Sequence, residues 1–144
     1  MVGDGTARRF GVAWLGLCLA LAAHVADEAA TGFLAVYHPT AEAIRARVAW
    51  LPLPMFTFRV WLRLLIVAVL FLLGLSVFAF RGASWLRPLA YIFAVAMLLN
   101  SAGHTVGTIY MGRAMPGVYS SPLLFVGAIW LLVVTRRVRK AEVP

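Results

Sequence analysis

The sequence predicts an all-α fold: an integral membrane bundle of four transmembrane helices, with a short interfacial helix between the first and the second. Three observations lead there. Apolar residues make up 63% of the chain and charged residues 12%, with a mean hydropathy of +0.92, a composition that a soluble domain does not have. The apolar residues fall into four runs, each near the roughly 20 residues a helix needs to cross a bilayer. Between the runs stand prolines, glycines and arginines, which end helices and anchor them among lipid headgroups. At 144 residues the four spans nearly exhaust the chain, so residues 1–144 are expected to form a single membrane-embedded domain.

The first span is predicted from about Phe10 to Val36, with His38-Pro39 as its stop. Arg8 and Arg9 precede it, and Ala20-Leu21-Ala22 loosely resembles a signal cleavage site. The apolar run continues well past that point, so it reads as a retained helix. Thr40 is then expected to cap a short helix over about 41–50. Ile44, Val48 and Leu51 lie on one side of it and Glu42, Arg45 and Arg47 on the other, which suits a helix lying in the interface plane. Pro52 and Pro54 turn the chain back, and the second span follows from about Phe58 to Phe80. Arg81-Gly82 separates it from the third, about Trp85 to Tyr110. Met115-Pro116-Gly117 turns into the fourth, about Tyr119 to Thr135, which the basic run from Arg136 to Lys140 closes.

The net charge of +8 raises nucleic acid as a partner, but the basic residues sit at the ends of apolar runs and form no stripe with interleaved aromatics. No nucleic acid partner is expected; the lipid bilayer is. Of the 13 basic residues, Arg8, Arg9, Arg81, Arg87 and the four at the C-terminal end fall on one side, and Arg45, Arg47, Arg59, Arg63 and Arg113 on the other. That bias predicts both termini in the cytoplasm. Cys18 is the only cysteine, which excludes an internal disulfide. The tryptophans and tyrosines mostly fall near span ends and read as interface anchors, and His38 as a loop residue.

Against this background residues 21–30, LAAHVADEAA, stand out. The chain has five acidic residues, and two of them, Asp27 and Glu28, sit side by side in an apolar helix where charge is costly. Residues three and four apart share a helix face, so His24, Asp27, Glu28 and Thr31 form one stripe, and Asn100, His104, Gly107 and Thr108 another. By helical rise His24 lies about 20 Å along the first span, and Asn100 and His104 about 23 to 29 Å along the third, which matches their depths. Gly103 and Gly107 have the spacing that lets membrane helices approach closely. If the first helix is their partner, both stripes converge on one pocket.

Three ways of neutralising the acids fit the sequence. A divalent transition metal, zinc, iron or manganese, suits His24, Glu28 and His104 as ligands. Arg63, about 9 Å inside the second span, can turn inward as a counter-ion, although snorkelling outward is the commoner behaviour. In the third, one acid carries a proton. Tyr110 and Arg113 are placed at the pocket mouth, where they suit an anionic headgroup or a substrate hydroxyl.

The string His24-Val25-Ala26-Asp27-Glu28 resembles the signature of the HXXEE membrane proteins, small helical bacterial proteins, with Asp27 in place of the first glutamate. Asn100 and His104, followed by Tyr110 and Pro116-Gly117, resemble a second polar element of that family. The resemblance covers most of the chain and implies a bacterial inner membrane. It implies no reaction, because the family has no settled activity. The shorter Asp27 leaves His24 and Glu28 as the firmer transfers.

The leading expectation is a membrane-embedded enzyme of isomerase, cyclase or hydrolase type, doing acid-base or metal-assisted chemistry on a lipophilic substrate. His24, Asp27, Glu28, Asn100 and His104 are the candidate catalytic residues, with Arg63, Tyr110 and Arg113 as substrate contacts. A small proton-coupled transporter, expected as a homo-oligomer, and a non-catalytic partner subunit are the competing readings.

Overall fold

The computed structural model describes residues 4–140. It contains five helices, α1 (Asp4–Thr31), α2 (Leu34–Arg47), α3 (Phe58–Phe80), α4 (Leu86–Met111) and α5 (Ser121–Lys140), with no strand among the described residues. Four of them, all but α2, are long and apolar enough to cross a membrane, which is consistent with an integral membrane protein. Between the first and second of these lies α2, as expected, although its bounds differ from the prediction.

The first long helix ends earlier than His38-Pro39. Gly32 takes a left-handed conformation (φ 78°), which favours glycine, and the Phe33 amide turns back onto the Glu28 carbonyl at 3.0 Å. The chain then re-enters a helix that runs through Pro39. Tertiary contacts hold α2 in this place: Tyr37 donates its hydroxyl to the Pro54 carbonyl (2.9 Å) and His38 Nε2 lies 3.0 Å from the Phe56 carbonyl. His38 is therefore a tie between two segments and not only a loop residue. Thr40 does not cap; its hydroxyl bonds back to the Val36 carbonyl at 2.8 Å. Trp50, expected inside the interfacial helix, lies beyond its end and is 82% exposed. The second predicted span coincides with α3, and Thr57 caps it by accepting from the Val60 amide. The last helix extends beyond Thr135 to Lys140.

Helix α1 is the centre of the bundle. It packs along α3 on one side and α5 on the other, while α4 packs along α5 and meets α1 only locally. The core formed by Phe10, Ala13, Trp14, Leu17, Cys18 and Ala20 of α1 with Leu86, Ala90, Phe93 and Ala94 of α4 and Leu124, Ala128 and Leu131 of α5 is fully or nearly fully buried. Two glycines permit close approach. A side chain at Gly11 would strike Phe80 of α3, and one at Gly127 would meet Leu17 of α1. Trp14 is no interface anchor: it is buried and donates its indole N–H to the Leu72 carbonyl across the α1–α3 interface at 2.9 Å. Cys18 is a free, buried thiol.

Candidate functional site

The polar stripe of α1 follows from helical spacing. His24 and Glu28 are one turn apart and share a face, and both are nearly inaccessible, at 1% and 5% exposure. They meet His104 of α4, itself 3% exposed. The three groups touch: His24 Nε2 is 3.2 Å from His104 Nε2 and 3.5 Å from Glu28 Oε1, and His104 Nε2 is 3.1 Å from Glu28 Oε1. The two imidazoles are nearly perpendicular, with centroids 4.7 Å apart. These residues form the one group of at least three His, Cys, Asp or Glu side chains, among the described residues, that is close enough to hold a metal ion.

Asp27 takes a different part from its neighbour. It is half-buried and turns toward the start of α5, where its Oδ2 accepts from both the Ser120 amide (2.9 Å) and the Ser120 hydroxyl (2.8 Å). The same Ser120 oxygen lies 2.9 Å from His24 Nδ1. The serine has one proton, with the Asp27 carboxylate at 2.8 Å and the Gly117 carbonyl at 3.2 Å as acceptors; when either takes it, Ser120 accepts from His24, and the imidazole proton is on Nδ1. The lone pair of His24 Nε2 then faces Glu28 and His104.

The α4–α5 loop delivers these groups. The Met115 amide bonds to the Thr108 hydroxyl (3.0 Å), and the Ser121 hydroxyl to the Gly117 carbonyl (2.8 Å), folding residues 112–120 back over the end of the bundle. Gly117, with φ 87°, lies against the cluster itself. A Cβ there would stand 2.8 Å from His104 Cε1 and 2.9 Å from Glu28 Cγ. On the remaining side the ring of Phe33 is 5.9 Å from that of His104 and stacks with Trp61 and Tyr37, each at 5.8 Å. Trp61, read as an interface anchor, is instead a buried part of this aromatic wall.

Other predicted site residues lie outside the contact. Asn100, one turn before His104, makes no hydrogen bond to the cluster, and its buried Oδ1 has no partner. Arg63, Tyr110 and Arg113 are all exposed, and Arg63 forms no ion pair with Asp27 or Glu28. The first and third spans do meet at the expected depth, but not through the glycine spacing. Gly103 faces open space and Gly107 packs against the Met115 side chain, while α4 leans on α5. Ser120 went unforeseen as a site residue, and Gly117 was marked only as a turn residue and as part of the family resemblance. The signal available was Ser120-Ser121-Pro122, which reads as an ordinary helix start.

Helices fit to cross a membrane and a buried His/Glu cluster define a small α-helical protein of membrane type built around one polar centre. The chain belongs to the family described as protein of unknown function with HXXEE motif, whose model matches residues 14–131. That stretch holds every residue of the cluster and of the loop that closes it. No curated protein and no solved structure matches the chain.

Proposed function

We propose that the chain is a membrane-embedded enzyme in which His24, Glu28 and His104 do acid-base or metal-assisted chemistry on a lipophilic substrate. The observation that carries this reading is the direct contact of the three side chains, 3.1 to 3.5 Å apart and shielded from solvent. Mutually close polar groups of this kind are costly to bury as pure architecture. In this reading Glu28 and the two imidazoles exchange a proton with substrate or polarise it, and Asp27 holds His24 through Ser120. Asn100, with an unpartnered oxygen, orients the substrate.

The lipophilic character rests on the aromatic wall of Phe33, Trp61 and Tyr37 beside His104. The long helices α3 and α4 share no extended interface, and in this reading a lipid-soluble molecule enters between them. With both termini cytoplasmic, the centre lies toward the outer leaflet of a bacterial inner membrane. Exposed Arg63, Tyr110 and Arg113 enter this reading only as contacts to a headgroup.

The test is to incubate the purified chain in proteoliposomes of total bacterial lipid and compare lipid profiles by mass spectrometry for wild type and Glu28→Gln. A species consumed by wild type and spared by a folded Glu28→Gln supports the enzyme. Identical profiles across a broad panel of lipids and isoprenoids, with both proteins folded, count against it.

A further inference from the structure

We infer that His24 Nε2, His104 Nε2 and Glu28 Oε1 are the three protein ligands of one divalent, zinc-type ion with an open fourth position, and that Ser120 and Asp27 are its outer support. The inference rests on the proposed centre and names its cofactor.

Distances come first. A tetrahedral ion with bonds of about 2.0–2.1 Å separates its ligand atoms by about 3.3–3.4 Å, whereas right-angle coordination with such bonds gives about 2.9 Å. The three edges here are 3.1, 3.2 and 3.5 Å, an unequal triangle whose mean lies nearer the tetrahedral value than the right-angle one. The i, i+4 pair of α1 supplies two ligands from one rigid face, and α4 the third. Two imidazoles with one carboxylate, leaving a position for water or substrate, is a donor set that suits catalytic zinc.

Proton counting agrees. With its proton on Nδ1, His24 offers a bare lone pair at Nε2, and Glu28 offers carboxylate oxygens. The single proton of His104 Nε2 has two acceptors to serve, Glu28 Oε1 at 3.1 Å and His24 Nε2 at 3.2 Å, which themselves face each other at 3.5 Å. One cation at the centre satisfies all three. Charge agrees as well, since Glu28 and Asp27 contribute two negative charges and, among the described residues, neither pairs with an arginine or lysine. A divalent ion balances them where unpaired charge is costly.

The outer support of His24 is already built, whereas the buried Nδ1 of His104 has no partner among the described residues. A metal-bound histidine usually donates its other N–H to a carboxylate, carbonyl or water, which fixes the tautomer and the ring plane. His24 donates to Ser120, and Ser120 donates to Asp27. Glycine at 117 leaves His104 and Glu28 the room to turn toward a common point. A bound ion would act as a Lewis acid on the substrate's oxygen or on a water molecule.

The test uses the full chain purified without a metal-affinity step, stripped with a chelator, and reloaded with Zn(II) or Co(II). One ion per chain is expected, with the intense visible absorption of tetrahedral cobalt. His24→Ala, His104→Ala and Glu28→Gln should lose it and His38→Ala keep it. Since those variants alter the core, Ser120→Ala is the second probe: affinity should fall about 10–100-fold with the fold intact. Folded wild type that takes up no ion, equal retention in all three ligand variants, or the weak spectrum of six-coordinate cobalt overturns the inference. Lipid conversion by metal-free protein would likewise end it and leave the enzyme standing. An ion bound at this site without any conversion would keep the metal and end the enzyme reading.

Discussion

Replacing Gly117 by alanine adds one methyl group at the most crowded point of the site. Two costs are separable. The backbone there is left-handed, φ 87°, and an L side chain in that conformation costs about 1–2 kcal/mol. The new Cβ also stands 2.8 Å from His104 Cε1, 2.9 Å from Glu28 Cγ and 3.0 Å from His104 Nδ1. Overpacking of that kind costs about 1–3 kcal/mol. The sum is about 2–5 kcal/mol, and relief of the clash must move His104 or Glu28 out of their 3.1 Å contact. Two other glycines calibrate the terms. Gly112 is also left-handed, at φ 63°, but a Cβ there meets nothing, so Gly112→Ala should show the backbone cost alone, about 1–2 kcal/mol. Gly103 lies inside α4 facing open space, and Gly103→Ala should stabilise by up to about 1 kcal/mol through helix propensity. The assay is equilibrium unfolding in mixed micelles by circular dichroism, with Zn(II) affinity measured on the same samples. If Gly117→Ala proves no worse than Gly112→Ala and binds zinc like wild type, the loop does not press on the centre and the packing argument is wrong.

Three further outcomes follow from the same contacts. Gly11→Ala places a methyl group against the Phe80 ring and 2.9 Å from its backbone Cα, so α1 and α3 must separate; unfolding measurements should show a loss of about 1–3 kcal/mol. Trp14→Phe removes the indole donor from the Leu72 carbonyl and should cost about 1 kcal/mol for the bond, more where the smaller ring leaves a void, with an unchanged unfolding free energy as the refuting result. Free Zn(II) at 100 times its dissociation constant should stabilise wild type by about 2.7 kcal/mol, and His104→Ala not at all. An equal rise in both proteins would mean binding elsewhere.

The parts of the fold legible in sequence were those set by periodicity and length. Helix α3 could be bounded to the residue because Pro52 and Pro54 precede it and Arg81-Gly82 follow it, with an almost wholly apolar run between, broken by Thr57, Arg59, Arg63 and Ser76. His24, Glu28 and His104 were legible as a group because helical spacing fixes which side chains share a face, and helical rise fixes their depth. What could not be read depended on contacts between segments distant in sequence. Pro39 signals a helix end locally, yet the turn falls at Gly32, and Tyr37 and His38 tie α2 to residues 54 and 56. Ser120 lies 96 residues from His24, on a loop whose path is set by Thr108, Met115 and Gly117 and by no periodic pattern. Asn100 is the converse case, a residue one turn from His104 whose buried Oδ1 has no hydrogen-bond partner among the described residues. Trp14 and Trp61 were misjudged because aromatic residues at span ends and in the core look alike until neighbours are known.

The central position of α1 also bears on how the chain is made. This helix leaves the ribosome before α3, α4 and α5, and the groups that receive its acids and histidine lie on the last two of these and the loop between them. At about 5–20 residues per second, the 96 residues between His24 and Ser120 take about 5–20 s to synthesise. For that interval Asp27 lacks its serine, and for the first 80 residues of it His24 and Glu28 lack the imidazole of α4. A nascent chain paused after α3 therefore carries a carboxylate-bearing span with nothing to shield it, and its polar face must stay with water or with the insertion machinery until α4 and α5 arrive. Site-specific crosslinking from position 23 or 26 of arrested chains would follow the handover, with contacts to the machinery giving way to contacts within the bundle once residue 120 has emerged.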